Sequence, residues 1–266
     1  MNRWIGLLLV WLLAVVMMML GWRWQRRRSN SGIVDVLWAS GVAGAAVLLA
    51  ILGDGAPAPR ILLAVCGEMW GARLAWYLWS RVSREDEDGR YHALRERWHG
   101  DQRKLFGMFQ FQAMLIPLFA LPFIAVAANP QIRPLPLACG VLVWLIAVIG
   151  EGVADRQLAN FREDPDNRGL TCRAGLWGYS RHPNYFFEWL HWFAYVLFAV
   201  GSPLWWLAFT GPVVMYVFLR YLSGIPLTEA HALSSRGDDY RAYQRETSML
   251  FPWFPKQTDD ATRSSS

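Results

Sequence analysis

"WIGLLLVWLLAVVMMMLGW", residues 4–22, contains no charged residue and runs directly into "RWQRRR", residues 23–28. An uncharged apolar run of about 20 residues is long enough to cross the ~30 Å hydrocarbon core of a bilayer as a helix. A secretion signal has a shorter apolar core, roughly 7–15 residues, followed by an A-x-A-like cleavage site. Here the run is longer and no such site follows. The arginine cluster has the character of a stop-transfer signal, so residues 4–22 read as a first transmembrane helix and not as a leader.

The rest of the chain agrees. Of 266 residues, 54% are hydrophobic, 15% aromatic and only 18% charged, against about 25% charged in soluble domains. Further apolar segments occupy roughly 33–52, 60–79, 107–128, 134–154, 185–200 and 203–222. The expected fold is an all-α integral membrane protein with seven transmembrane helices. It forms a single domain over 1–256, followed by a polar, disordered tail at 257–266. The segment 33–52 is weaker, rich in Gly and Ala, and suits close helix packing in lipid. Cys66, Cys139 and Cys172 have no metal-ligand spacing, and an odd number argues against a disulfide framework. A net charge of +5 without a basic stripe excludes a nucleic-acid surface.

Lys and Arg set the orientation. With the N-terminus outside, the outer side keeps only Arg3, Arg60 and Arg133, while Arg23, Arg26, Arg27 and Arg28 and the long polar loops at 80–106, 155–184 and 223–266 face the cytoplasm. The expected topology is N-out, C-in, with the cofactor pocket on the cytoplasmic side. The outer loops "GDGAPAP" and "NPQIRPLP" read as tight connections without chemistry.

Ionisable groups near membrane depth cluster toward that cytoplasmic side, where they are costly and usually functional. In "EMWGARLAWYLWSR", Trp70, Arg73, Tyr77 and Arg81 share one helical face. Tyr77 could be an interfacial-belt residue and Arg73 a snorkelling cation, or the two could line a site. Asp35 opens the second span. It is either a first-turn acid favoured by the helix dipole, or a buried carboxyl group that stays protonated and donates to a substrate carbonyl. Asp155, Leu158 and Arg162 make a stripe at i, i+3 and i+7, either a solvated face or a binding face. Asn184, Glu188, His191 and Tyr195 make a polar stripe along an otherwise apolar helix, which favours a lined cavity. Arg181 and His182 precede that helix in "SRHPNY" and suit an anion. Arg236, Tyr240 and Tyr243, in "LTEAHALSSRGDDYRAYQRE", fit either cofactor contact or ordinary packing. No GxGxxG after a strand, no Walker loop, no HExxH and no GxSxG is present.

"GLWGYSRHPNYFFEWLHW", preceded by "DRQLANFR" and followed by "DDYRAY", resembles the C-terminal half of the steroid 5α-reductase superfamily, the 3-oxo-5α-steroid 4-dehydrogenases, and most of all its bacterial branch. The resemblance is specific over about 150–255 and looser over 33–105. It implies a cofactor-binding half at 150–255, a substrate side at 33–105, and a bacterial inner membrane. It also implies NADPH as cofactor and a lipophilic, steroid-like enone as substrate, taken from the membrane, with no nucleic acid and no required protein partner. Carried over by position, Asp155, Leu158, Arg162, Tyr179, Asn184 and Glu188 match the cofactor residues. Arg73, Arg81, Arg181, His182, Arg236 and Tyr240 are expected beside them. Tyr77, four residues after Arg73, matches the residue that polarises the ketone. Asp35 stands where the family has a catalytic Glu, one carbon shorter. "SGIPLTEAH" replaces the family's His and Arg cluster.

The RHP-x-Y turn is similar to that of isoprenylcysteine carboxyl methyltransferases and sterol reductases as well. The alternatives are therefore an S-adenosylmethionine-dependent membrane methyltransferase and a non-enzymatic membrane protein. The second would show no nucleotide binding, and the lack of inverted repeats counts against alternating access.

Overall fold

The computed structural model describes residues 3–84 and 86–256; the tail at 257–266 lies outside the described residues. Among the described residues every regular element is helical: α1 (Arg3–Arg28), α2 (Ile33–Leu52), α3 (Pro57–Arg84), α4 (Gly89–Arg97), α5 (Gln102–Phe119), α6 (Leu121–Ala127), α7 (Pro134–Glu163), α8 (Pro183–Phe198), α9 (Thr210–Val217), α10 (Ile225–Arg236) and α11 (Asp238–Glu246). Six helical runs are long and apolar enough to cross a membrane: Trp4–Arg28, Ile33–Leu52, Pro57–Arg84, Gln102–Ala127, Pro134–Glu163 and Trp205–Arg236.

Two segments differ from the expected spans for local reasons. The apolar stretch expected at 185–200 becomes α8, only 16 residues long, shorter than the ~20 that a span requires. It stops before Gly201, whose φ of 103° is left-handed and ends the helix. The stretch expected at 203–222 begins as a 3-10 turn at Trp205–Phe209 and ends as a π-turn at Phe218–Leu222. Inside the run Gln102–Ala127, Pro117 removes a backbone donor, and α5 gives way to α6 at Ala120.

The chain divides into two compact units, Met1–Val141 with Ala194–Gly211, and Leu142–Phe193 with the chain from Pro212 onward. In the first unit α2 lies against α3, and α1 lies against α5. The α2–α3 contact is close because the facing residues are small. A Cβ placed on Gly71 would stand 2.5 Å from Ala43 Cβ, and one on Gly67 would stand 2.4 Å from Ala46 Cβ. Ala39, Ala43 and Ala46 are buried, so the Gly/Ala content of 33–52 acts as a packing face. The α2–α3 connection meets the segment after α6: Gly55 N–H donates to the Ala127 carbonyl at 2.9 Å and Ala56 N–H to the Asn129 carbonyl at 2.7 Å. Asn129, 1% exposed, donates to the carbonyls of Phe198 and Val200.

In the second unit the loop before α8 is sewn to α7 and to the C-terminal segment. Trp177 Nε1 donates to the Ala154 carbonyl at 2.9 Å, and Leu176 N–H donates to Gln157 Oε1 at 2.9 Å. Gly175 makes this possible: it has φ +57°, and a Cβ there would sit 2.3 Å from the Gln157 amide. Tyr243 of α11 donates through its hydroxyl to the Trp177 carbonyl at 2.5 Å.

Gly71→Ala is expected to lower stability by about 1–3 kcal/mol through overpacking. Gly44→Ala, in the same pair of helices but with nothing within 4 Å of the added Cβ, is expected to be neutral or stabilising by up to ~1 kcal/mol. Thermal unfolding in detergent separates the two; equal losses would refute the close-packing account.

Candidate functional site

Within the second unit, α7 carries the predicted stripe to two partners. Asp155 Oδ1 accepts from Asn184 Nδ2 at 3.1 Å, joining two residues expected to serve one cofactor. Leu158, one turn further on, and Arg162, two turns on, line a cavity of about 150 Å³. Its other walls include Arg168 and Cys172 from the irregular segment after α7, and Arg236 from the last turn of α10. The lining has three arginines and no carboxylate, and among the described residues none of the three is in an ion pair. Burial pushes the Cys172 thiol up, against the pull of Arg162 and Arg236. A site of this volume and charge suits a small anion.

The segments that hold Arg236 in place are themselves anchored. α10 stops at Gly237, φ +54°, and α11 begins at once. Asp239 of α11 accepts from Thr171 N–H and from Arg173, each at 2.8 Å. Burial raises the Asp239 carboxyl, but Thr171 and Arg173 outweigh it and hold the pKa below the carboxylate range.

Arg181 and His182 were expected to face an anion; the structure gives them a different task. Arg181 Nε pairs with Glu229 Oε1 of α10 at 2.8 Å, and its NH1 donates to the carbonyls of Gln244 and Thr247. His182, 2% exposed, places Nε2 3.2 Å from the same Glu229 oxygen and stacks on Tyr185 at 5.3 Å. Gln244 Nε2 donates to the second Glu229 oxygen at 2.8 Å. The clasp takes the Nε and NH1 donors of the guanidinium. Burial lowers the His182 pKa below its ordinary 6.5, more than the Glu229 carboxylate raises it, so the ring is held neutral. Tyr240 and Tyr243, 3% and 1% exposed, pack with Ala232, and burial raises both phenols. Arg236 contacts the cavity. Tyr179 is exposed and meets Phe254 edge-on at 6.0 Å. Glu188 and His191 lie one turn apart on α8, 3.8 Å from each other. Tyr195 falls in the first unit, fully buried against Phe123.

In the first unit, Tyr77 is 49% exposed near the end of α3, with no protein partner for its hydroxyl among the described residues. Arg73 is half-buried one turn earlier. Arg81 approaches Asp88 at 3.5 Å. Asp35 Oδ1 accepts from the Tyr91 hydroxyl at 2.7 Å and Oδ2 from Arg90 at 3.3 Å. A second cluster lies beside it. Arg95 pairs with Glu87 at 2.8 Å and donates to Ser31 and Gln25. Burial raises the Glu87 carboxyl, but Arg95 and Ser31 hold it below its ordinary range. Sequence reading missed Arg90, Tyr91, Arg168 and Glu229 as site residues.

A family model for DUF1295, described as a protein of unknown function, matches residues 21–247. An uncharacterized protein of Schizosaccharomyces pombe is 32% identical over 101 residues, covering 30% of this chain and 36% of that protein, so the match spans little more than a third of the relative's length. No solved structure matches the chain.

Truncating Arg181 to Ala leaves the Glu229 carboxylate buried without its cation and is expected to cost about 3–5 kcal/mol, read as a fall in unfolding temperature. The His182 effect has a defined sign. Below pH 6.5 the unfolded chain takes up a proton that the folded ring resists, so stability is full above 6.5 and declines as pH falls. Unfolding temperatures at pH 7 and 5 should therefore differ, and His182→Gln should narrow the difference; an unchanged slope in the variant would count against a neutral buried ring.

Proposed function

The chain belongs to the DUF1295 family, and we propose that it is an NADPH-dependent membrane reductase acting on the carbon–carbon double bond of an α,β-unsaturated ketone in a lipophilic, steroid-like substrate. The observation that carries this reading is the cavity of Leu158, Arg162, Arg168 and Arg236, three cations without a carboxylate, on the stripe that the family resemblance assigns to the cofactor. In this reading the protein lies in a bacterial inner membrane, and the arginine cavity opens to the cytoplasm.

Arg162, Arg168 and Arg236 would bind a phosphate of NADPH, and the Asp155–Asn184 pair would orient the adjoining sugar or nicotinamide half. When bound, the cofactor supplies a hydride and leaves as NADP⁺. The Tyr77 hydroxyl donates a hydrogen bond to the ketone oxygen, stabilising the enolate that forms as the β-carbon is reduced; water supplies the proton at the α-carbon. Asp35 can contribute a second contact only by releasing Tyr91 or Arg90, so the reading assigns polarisation chiefly to Tyr77. A membrane fold suits this chemistry because the substrate partitions into lipid and the cofactor does not.

NADPH oxidation in the presence of a 3-oxo-Δ4 steroid is the direct assay. Tyr77→Phe should lower kcat by roughly 100-fold or more, the usual scale for loss of one oxyanion donor; undiminished turnover removes Tyr77 from the mechanism. Arg162→Ala and Arg236→Ala should each weaken NADPH binding by about tenfold, measured by thermal-shift titration. Stabilisation by S-adenosylmethionine and not by NADPH would replace the reductase with a methyltransferase.

A further inference from the structure

A second, larger groove lies at the other end of the sequence, within the first unit, beside the pocket that Asp35 and Arg81 line. Its volume is about 540 Å³, and it lies where two candidate spans, Trp4–Arg28 and Pro57–Arg84, both terminate. Trp24 and Trp79 form its apolar wall, their rings 6.2 Å apart and tilted by 52°. Arg28 and Asp86 also line it. Both are exposed, and among the described residues neither is in an ion pair. Two opposite charges that share a groove without bridging leave room for a ligand that carries both. Glu87, also on the wall, is neutralised by Arg95.

Tryptophans at a helix end sit at the headgroup level of a bilayer, and indole faces attract ammonium groups. We propose that this groove binds the headgroup of a zwitterionic, amine-bearing phospholipid. Its phosphate meets Arg28, with the Ser29 and Ser83 hydroxyls beside it, and its ammonium lies between Asp86 and the Trp24–Trp79 pair. The acyl chains leave along the apolar surfaces of α1 and α3, where Leu20, Trp76 and Trp79 are exposed. Such a lipid anchors the α1–α2 connection at a fixed depth. Nothing in this assignment depends on the reductase reading.

Native mass spectrometry of the delipidated full chain, titrated with phosphatidylethanolamine and with phosphatidylglycerol of matched chains, tests it. The two lipids share the phosphate, and only the first has the ammonium. Wild-type protein is expected to bind phosphatidylethanolamine more tightly. Asp86→Asn should bring it down to the phosphatidylglycerol level, and Arg28→Gln should weaken both by about three- to fivefold, the scale of an exposed charge contact. Both positions are exposed, so the variants should unfold at the wild-type temperature. Equal affinity for the two lipids in the wild type, or unchanged phosphatidylethanolamine affinity in both variants, overturns the proposal. So does full displacement of the lipid by an equal concentration of soluble glycerophosphoethanolamine, which would make the ligand a soluble metabolite.

Discussion

The ion pair between Arg181 and Glu229, 10% and 15% exposed, is the contact on which the C-terminal unit depends. Removing two charges from water is unfavourable unless every remaining donor and acceptor finds a partner. Here the guanidinium also serves the carbonyls of Gln244 and Thr247, and Gln244 serves the second Glu229 oxygen. The result ties three segments distant in sequence: the turn before α8, the first half of α10 and the end of α11. The last residue of α10, Arg236, lies on the cavity wall. A pair that looks like ligand chemistry in a one-dimensional pattern acts as the frame for a different set of arginines.

The first unit uses the same physics at its polar end. Arg95 and Glu87 draw in Ser31 and Gln25, and Arg90 and Tyr91 draw in Asp35. Both clusters join the short helix α4 to the α1–α2 connection. Buried polar groups at a helix end require partners, and the loop residues supply them. Tyr77 stands outside these clusters with its hydroxyl available, which distinguishes it from every other polar side chain proposed for that unit.

Part of the candidate site was legible because helical periodicity is local. Leu158 and Arg162 lie one turn apart, so their shared face followed from spacing alone, and the Asp155–Asn184 contact joins two residues that stood on separately identified stripes. Arg168 was illegible because it lies in an irregular segment, where no period assigns a direction. Glu229 was illegible for another reason. It is a lone acid in "IPLTEAH", and its partner Arg181 is 48 residues away. Arg90 and Tyr91 sit in a charge-dense stretch that reads as solvated loop, yet they fold back onto Asp35, 55 and 56 residues away.

Composition and hydropathy were sufficient for an all-helical chain with membrane-length runs, since the cost of burying charge in hydrocarbon acts residue by residue. The Gly and Ala content of 33–52 likewise announced a close helix contact, because a missing side chain is a property of the residue itself. Which arginines face a cavity and which are consumed in holding the fold was settled only by packing. A guanidinium binds whichever carboxylate or carbonyl the folded chain brings to it, and that depends on contacts far apart in sequence.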